Sequence, residues 1–140
     1  MLLDAEVTLD PGTAHIQSEA SANYFDLGAA RDIGAGRTLY VVSVLTVALA
    51  GGTSMTLTLE SDDNTSFSSA TSIQSIGAFL TSGSVAGQVL IARVAPIATP
   101  ERYLRGYWTE SGAVTAGTME TYITDDIDRF RVYANGYTIS

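Results

Sequence analysis

The chain has no cysteine and no lysine among its 140 residues, and a single histidine, His15. Without cysteine there is no disulfide framework, no thiolate zinc site and no thiol nucleophile. Such a chain fits the cytosol without excluding other compartments. Charge is scarce, at 16% of residues, and one-sided: seven arginines face fifteen acids, for a net charge of −8. That balance argues against a nucleic-acid partner, because affinity for phosphates comes mainly from counterions released at basic patches. Long apolar runs are also missing. The longest, Leu39 to Ala50, falls well short of the roughly 20 residues that cross a bilayer. The opening MLLDAEVTLD has no basic segment and meets Asp4 and Glu6 too early for a signal peptide. A soluble protein without a membrane partner is expected.

What the chain does have is short alternating runs rich in Val, Thr, Ser and Gly, with 46% hydrophobic residues overall. The clearest stretch is Arg37 to Phe67. Leu39, Val41, Leu45, Val47 and Leu49 share one face of its first run, and Met55, Leu57 and Leu59 share one face of its second. A period of two places successive side chains on opposite faces, which predicts strands. Gly51-Gly52 between the runs predicts a tight hairpin. Leu2 to Leu9 reads as a strand ended by Pro11-Gly12, and Asn23 to Leu27 as a short strand. Gln88 to Val94, Arg102 to Glu110 and Thr118 to Thr124 alternate in the same way, with Gly106 marking a bulge or a close backbone approach. SGAVTAG between the last two reads as hairpin-like. Ile73, Ile76, Phe79 and Leu80 alternate poorly, as in a bulged strand or a loop. No helical period of useful length appears. The expectation is one all-β domain over residues 1–140, a jelly-roll-like antiparallel β-sandwich of seven or eight strands.

Signals for chemistry are weak. His15 is the one candidate base for acyl transfer, yet it lies in a Ser/Thr-rich stretch with no G-x-S-x-G elbow, and reads as a solvated loop histidine. Glu60, Glu110 and Glu120 would be the candidates for a carboxylate pair cutting a glycosidic bond. No acid is forced into an apolar context by its sequence neighbours, so they read as solvating residues. Asp62-Asp63-Asn64 and Asp125-Asp126-x-Asp128 are oxygen-rich but lack the EF-hand pattern, which favours turn-forming roles over calcium. The expectation is no enzyme, no catalytic residue, no cofactor and no metal.

Aromatic residues tell more. Tyr103, Tyr107, Trp108, Tyr122, Phe130, Tyr133 and Tyr137 crowd the C-terminal part with Arg102, Arg105, Arg129 and Arg131. Tyr, Trp and Arg are enriched at interface hot spots. The segment 127–140 adds an apolar tail after a run of acids. Chain ends stay disordered unless tied down, so docking on a neighbouring subunit or on the protein's own sheet is expected.

Three stretches together resemble the capsid cement (decoration) proteins of short-tailed bacteriophages: DLGAARDIGAGRTLYVVSV (Asp26 to Val44), LTLESDDNTSFSSATSI (Leu57 to Ile73), and RYLRGYWTESGAVTAGTMETYIT (Arg102 to Thr124) followed by YANGY. The region Ser75 to Gly87 matches least. The resemblance implies a jelly-roll sandwich in the virion, on the outer surface of the capsid. It implies a homo-oligomer, with a dimer favoured, that binds the major capsid protein across capsomer junctions and stabilises the shell without covalent links. It carries no catalytic or cofactor residue. Partner contacts are expected in the loop from Arg31 to Arg37 and at Phe130, Tyr133 and Tyr137. The alternative is a carbohydrate-binding sandwich of a host-attachment protein, which would expose aromatics near Tyr103, Tyr107 and Trp108.

Overall fold

The structure, a computed structural model, describes residues 7–30, 39–97 and 100–124. Among the described residues there are eight antiparallel strands: β1 (Val7–Ala14), β2 (Glu19–Asp26), β3 (Tyr40–Gly51), β4 (Ser54–Asp62), β5 (Thr71–Leu80), β6 (Val89–Arg93), β7 (Tyr103–Ser111) and β8 (Val114–Thr124). They lie in two four-stranded sheets, ordered β1-β8-β3-β6 and β2-β7-β4-β5. Strand pairs β1/β8, β2/β7, β3/β6 and β4/β5 are nested, as in one long hairpin folded over on itself. Rolling that ribbon adds the β8/β3 and β7/β4 pairings and closes a jelly-roll β-sandwich.

The inward rows of both sheets make one core. Leu9, Val41, Leu45, Met119 and Ile123 of the first sheet meet Met55, Leu57, Leu59, Leu104 and Trp108 of the second. Burying each such side chain contributes about 1.5–3 kcal/mol. Within this apolar layer, Ser43 and Thr121 stand opposite each other on β3 and β8 with their hydroxyls 3.0 Å apart, so two buried polar groups satisfy one another.

Gly51-Gly52 does not close a hairpin. β3 and β4 belong to different sheets, so the glycine pair is a corner where the chain crosses the sandwich. The β7–β8 connection crosses in the same way beside it. Gly52 (φ 60°) and Gly112 (φ 78°) touch, and a Cβ on Gly112 would fall 2.8 Å from the Gly52 Cα. The Thr53 N–H donates to the Ser111 carbonyl at 2.7 Å across the two corners. Alternation detects strands, but it carries no information on which sheet receives the next one.

Two other expectations change. β1 does not stop at Pro11-Gly12: it runs through both residues to Ala14, with register shifts at Thr8/Asp10 and Pro11/Thr13. β1 is an edge strand, where a proline and bulges are tolerated and discourage pairing with another chain. The poorly alternating run Thr71–Leu80 is a strand whose register slips twice against β4. Gly106 is a close approach: a Cβ there would meet the Leu57 Cδ1 at 2.9 Å.

Candidate functional site

β7 divides the chemistry of the molecule between its two faces. Leu104, Gly106 and Trp108 point into the core, and Tyr103, Arg105 and Tyr107 point out.

On the inner side, Trp108 is fully buried and donates its indole N–H to Asp10 Oδ2 at 3.0 Å. The bulge in β1 turns both Leu9 and Asp10 inward. Asp10 therefore reaches across the sandwich, where its Oδ1 also accepts the Ala22 N–H of β2 at 2.8 Å and bonds His15 Nε2 at 2.9 Å. The other ring nitrogen of His15 lies 2.9 Å from Glu19 Oε1, and the ring sits 5.6 Å from that of Trp108. His15 is thus not a solvated loop residue. It is 1% exposed and plugs the β1–β2 connection into the core.

Burial by itself would push the Asp10 carboxyl up, but hydrogen bonds from His15, Trp108 and Ala22 outweigh it and hold the group below the usual carboxylate range. Burial would likewise lower His15, and the bonds and charges of Asp10 and Glu19 reverse that and raise it. Both ring nitrogens are occupied by carboxylates. The imidazole therefore has no free nitrogen with which to activate a nucleophile.

The acids weighed for glycosidic cleavage face apart. Glu60 lies on the outer row of β4 paired to Arg105, Glu120 lies on β8 in the other sheet bonded to the Tyr122 hydroxyl, and Glu110 accepts the Val114 N–H at 3.2 Å. Asp10, Glu60 and Asp62 are all buried, which their sequence neighbours do not announce. Asp10 and Glu60 meet Trp108 and Arg105 from strands distant in sequence, while Asp62 is enclosed by its own loop.

Asp62, Asp63 and Glu101 bring carboxylate oxygens within 4.8 Å of one another, the one such grouping able to hold a metal among the described residues. Asp62 already accepts four hydrogen bonds from its own loop: the Asp63 N–H (2.6 Å), Asn64 Nδ2 (3.0 Å), and the N–H (2.7 Å) and hydroxyl (2.9 Å) of Ser69. Burial opposes its charge, and the Ser69 and Asp63 bonds outweigh burial and lower its pKa. Its role is to set the loop, as an Asx-type turn residue does.

That loop builds the outer side of β7. It places Phe67, in a left-handed conformation (φ 51°), beneath the Arg105 guanidinium, 4.2 Å from its carbon to the ring centre. Arg105 is also paired with Glu60, its cross-strand neighbour on β4. Tyr24 of β2 packs edge-on to Tyr103 at 5.6 Å and lies 6.1 Å from Phe67. Arg102 stacks over Tyr103 and grips Asp26 through two bonds of 2.8 and 3.1 Å, which lower the Asp26 pKa. Tyr24 remains 47% exposed. The result is an outward surface of aromatic rings and arginines in which Arg102 and Arg105 are each paired with a carboxylate.

Of the interface residues expected from sequence, Arg31, Arg37, Phe130, Tyr133 and Tyr137 lie outside the described residues, as do the tail 127–140 and Asp125, Asp126 and Asp128. Tyr103 and Tyr107 do share one sheet face. Trp108 does not join them, since it is fully buried. Tyr24, Phe67 and Asp10 were missed. A lone tryptophan heading for the core signals that some acceptor must meet its N–H, without saying which one.

No helix among the described residues is long and apolar enough to cross a membrane. No curated protein matches the chain. The family model Bbp16 matches residues 10–123, from the Asp10 that ties the sheets together to Ile123 at the end of β8. That match covers most of the 140 residues, and the chain belongs to the phage-associated Bbp16 family.

Proposed function

We propose that this protein is a non-enzymatic structural component of the virion, a cement protein. It binds the outside of the major capsid shell across capsomer junctions and stabilises it non-covalently. The observation that carries the reading is the outer face of β7 with Tyr24 and Phe67, where aromatic rings and paired arginines form a stiff surface centred on a half-exposed tyrosine. Such a surface loses little conformational entropy on docking, because its side chains already hold one another. Contacts made only in the assembled shell favour that state by mass action, and many weak copies add up. The family's association with phages supports the same setting. Pairing of two copies would cover sheet edges and present two such faces, in keeping with a dimer.

The test is to mix purified protein with empty phage heads and follow shell mass and thermal rupture, with and without Tyr103→Ala and Tyr24→Ala. Saturable decoration, a higher rupture temperature and loss of both in the variants are expected. Heads left undecorated by the unmodified protein would overturn the proposal. Retained binding to a glycan array instead would move it to the attachment-module class.

A further inference from the structure

The connection between β1 and β2, residues 15–18, joins an edge strand of one sheet to an edge strand of the other. Backbone bonds fasten both its ends. The His15 N–H donates to the Gly117 carbonyl of β8 at 3.1 Å, and the Ser18 hydroxyl oxygen accepts the Glu110 N–H of β7 at 3.0 Å. The His15 side chain adds a further tie. Asp10 of β1 and Glu19 of β2 each set a carboxylate oxygen 2.9 Å from one of its ring nitrogens. An ionised carboxylate only accepts, so both nitrogens must donate, which requires the imidazolium form. One ring, while it holds its second proton, thus links the edge strands of both sheets.

Loss of that proton leaves one N–H for two carboxylates, and the two are unequal. Asp10 is 0% exposed and also accepts the Trp108 and Ala22 N–H groups, so it cannot turn away without stranding both. The Glu19 side chain is 34% exposed, and its other oxygen takes a long 3.4 Å bond from Gln17 Nε2, so it can exchange the ring for water. The remaining proton therefore stays on Nε2, and a bare Nδ1 repels Glu19. β7 and β8 bring no further charge to the ring: they present the Trp108 indole and the Gly117 carbonyl, and Glu110 turns its carboxylate to the Val114 N–H. We infer that His15 is a proton-operated latch, which fastens the β1–β2 connection when protonated. Deprotonated, it lets Glu19 go and loosens residues 16–18 while both sheets stay folded. Burial opposes the charge on His15 and the two carboxylates outweigh it, which puts release on the alkaline side of the ordinary histidine value. The inference does not depend on the shell-binding reading.

His15 is the single histidine of a chain without cysteine, so no other side chain ordinarily titrates between about pH 5 and 8. A pH titration of the ¹⁵N-enriched full chain by NMR tests the latch. Both ring nitrogens should keep their protons past the ordinary histidine value, and Nδ1 should lose its proton first. As it does, the ¹H–¹⁵N NOE of Ile16, Gln17 and Ser18 should fall, and that of Val41 and Leu57 should hold. A ring that turns neutral at or below the ordinary value would overturn the inference, as would one that titrates with no change at residues 16–18. Glu19→Gln separates the latch from alkaline loosening of any other origin. Its amide can accept from a protonated Nδ1 or turn over and donate to a bare one, so the NOE loss should vanish. A loss of the same size in Glu19→Gln would assign the loosening to another group and overturn the inference.

Discussion

The inner and outer faces of β7 carry similar ingredients to different ends. Inside, a carboxylate, a histidine and a tryptophan are closed off from water and bonded to one another. Outside, carboxylates, arginines and tyrosines are bonded as well, but Tyr24 and Arg102 remain about half exposed. The polar groups of the inner set cannot be released without cost, because no water stands ready to replace a lost partner. Of those outside, Arg102 and Asp26 are screened and contribute little to folding, whereas the Glu60–Arg105 pair, 10% and 20% exposed, is nearly as enclosed as the inner set. The comparison teaches that access to solvent, more than residue type, sets what each pairing contributes to stability.

Asp10→Ala should break the inner set with the largest effect, about 3–5 kcal/mol, since it strands a buried histidine and two N–H donors at once. Urea denaturation followed by Trp108 fluorescence measures it, and a cost near zero would mean that water already reaches the cluster. Arg105→Ala comes next, at about 1.5–3 kcal/mol, because Glu60 loses its charged partner and Phe67 its lid; the same titration measures it. Tyr24→Ala should change stability by only about 0.5–1 kcal/mol while weakening attachment to heads about tenfold or more. A binding isotherm with intact heads decides, and a variant that unfolds instead would place Tyr24 with the inner set.

The smallest effect is on pH. The raised His15 pKa stabilises the fold fully below the ordinary histidine value and ceases to do so as pH rises through the folded value. The lowered Asp10 pKa acts above the ordinary carboxylate value and is lost as pH falls through its folded value. Melting temperature should therefore peak in mildly acidic buffer and decline on the alkaline side, and His15→Gln should flatten the alkaline decline. Calorimetry across pH 5 to 9 checks this, and an identical slope in both proteins would exclude His15 as its source.

Local alternation located most of the strands, although it ended β1 early, began β2 late and left β5 open between a bulged strand and a loop. Leu104, Gly106 and Trp108 opposite Tyr103, Arg105 and Tyr107 could be read directly, because side-chain direction in a strand follows from position alone. It failed at Thr8/Asp10, where one extra residue in β1 turns an acid inward, and at Gly51-Gly52, where the same glycines that permit a hairpin permit a corner. The candidate site was half legible: Tyr103, Arg105 and Tyr107 stood out as one outward row, but Tyr24 and Phe67 come from sequence positions far from β7.

The sequence by itself determined an all-β, cysteine-free, acidic domain, because period-two patterning and composition are properties of neighbouring residues. Only the tertiary structure decided that His15 is buried between two carboxylates, that Trp108 is held by Asp10, and that Arg105 rests on Phe67. Each of those pairings joins residues brought together by rolling the ribbon, and burial is a property of the closed sandwich rather than of any stretch of chain.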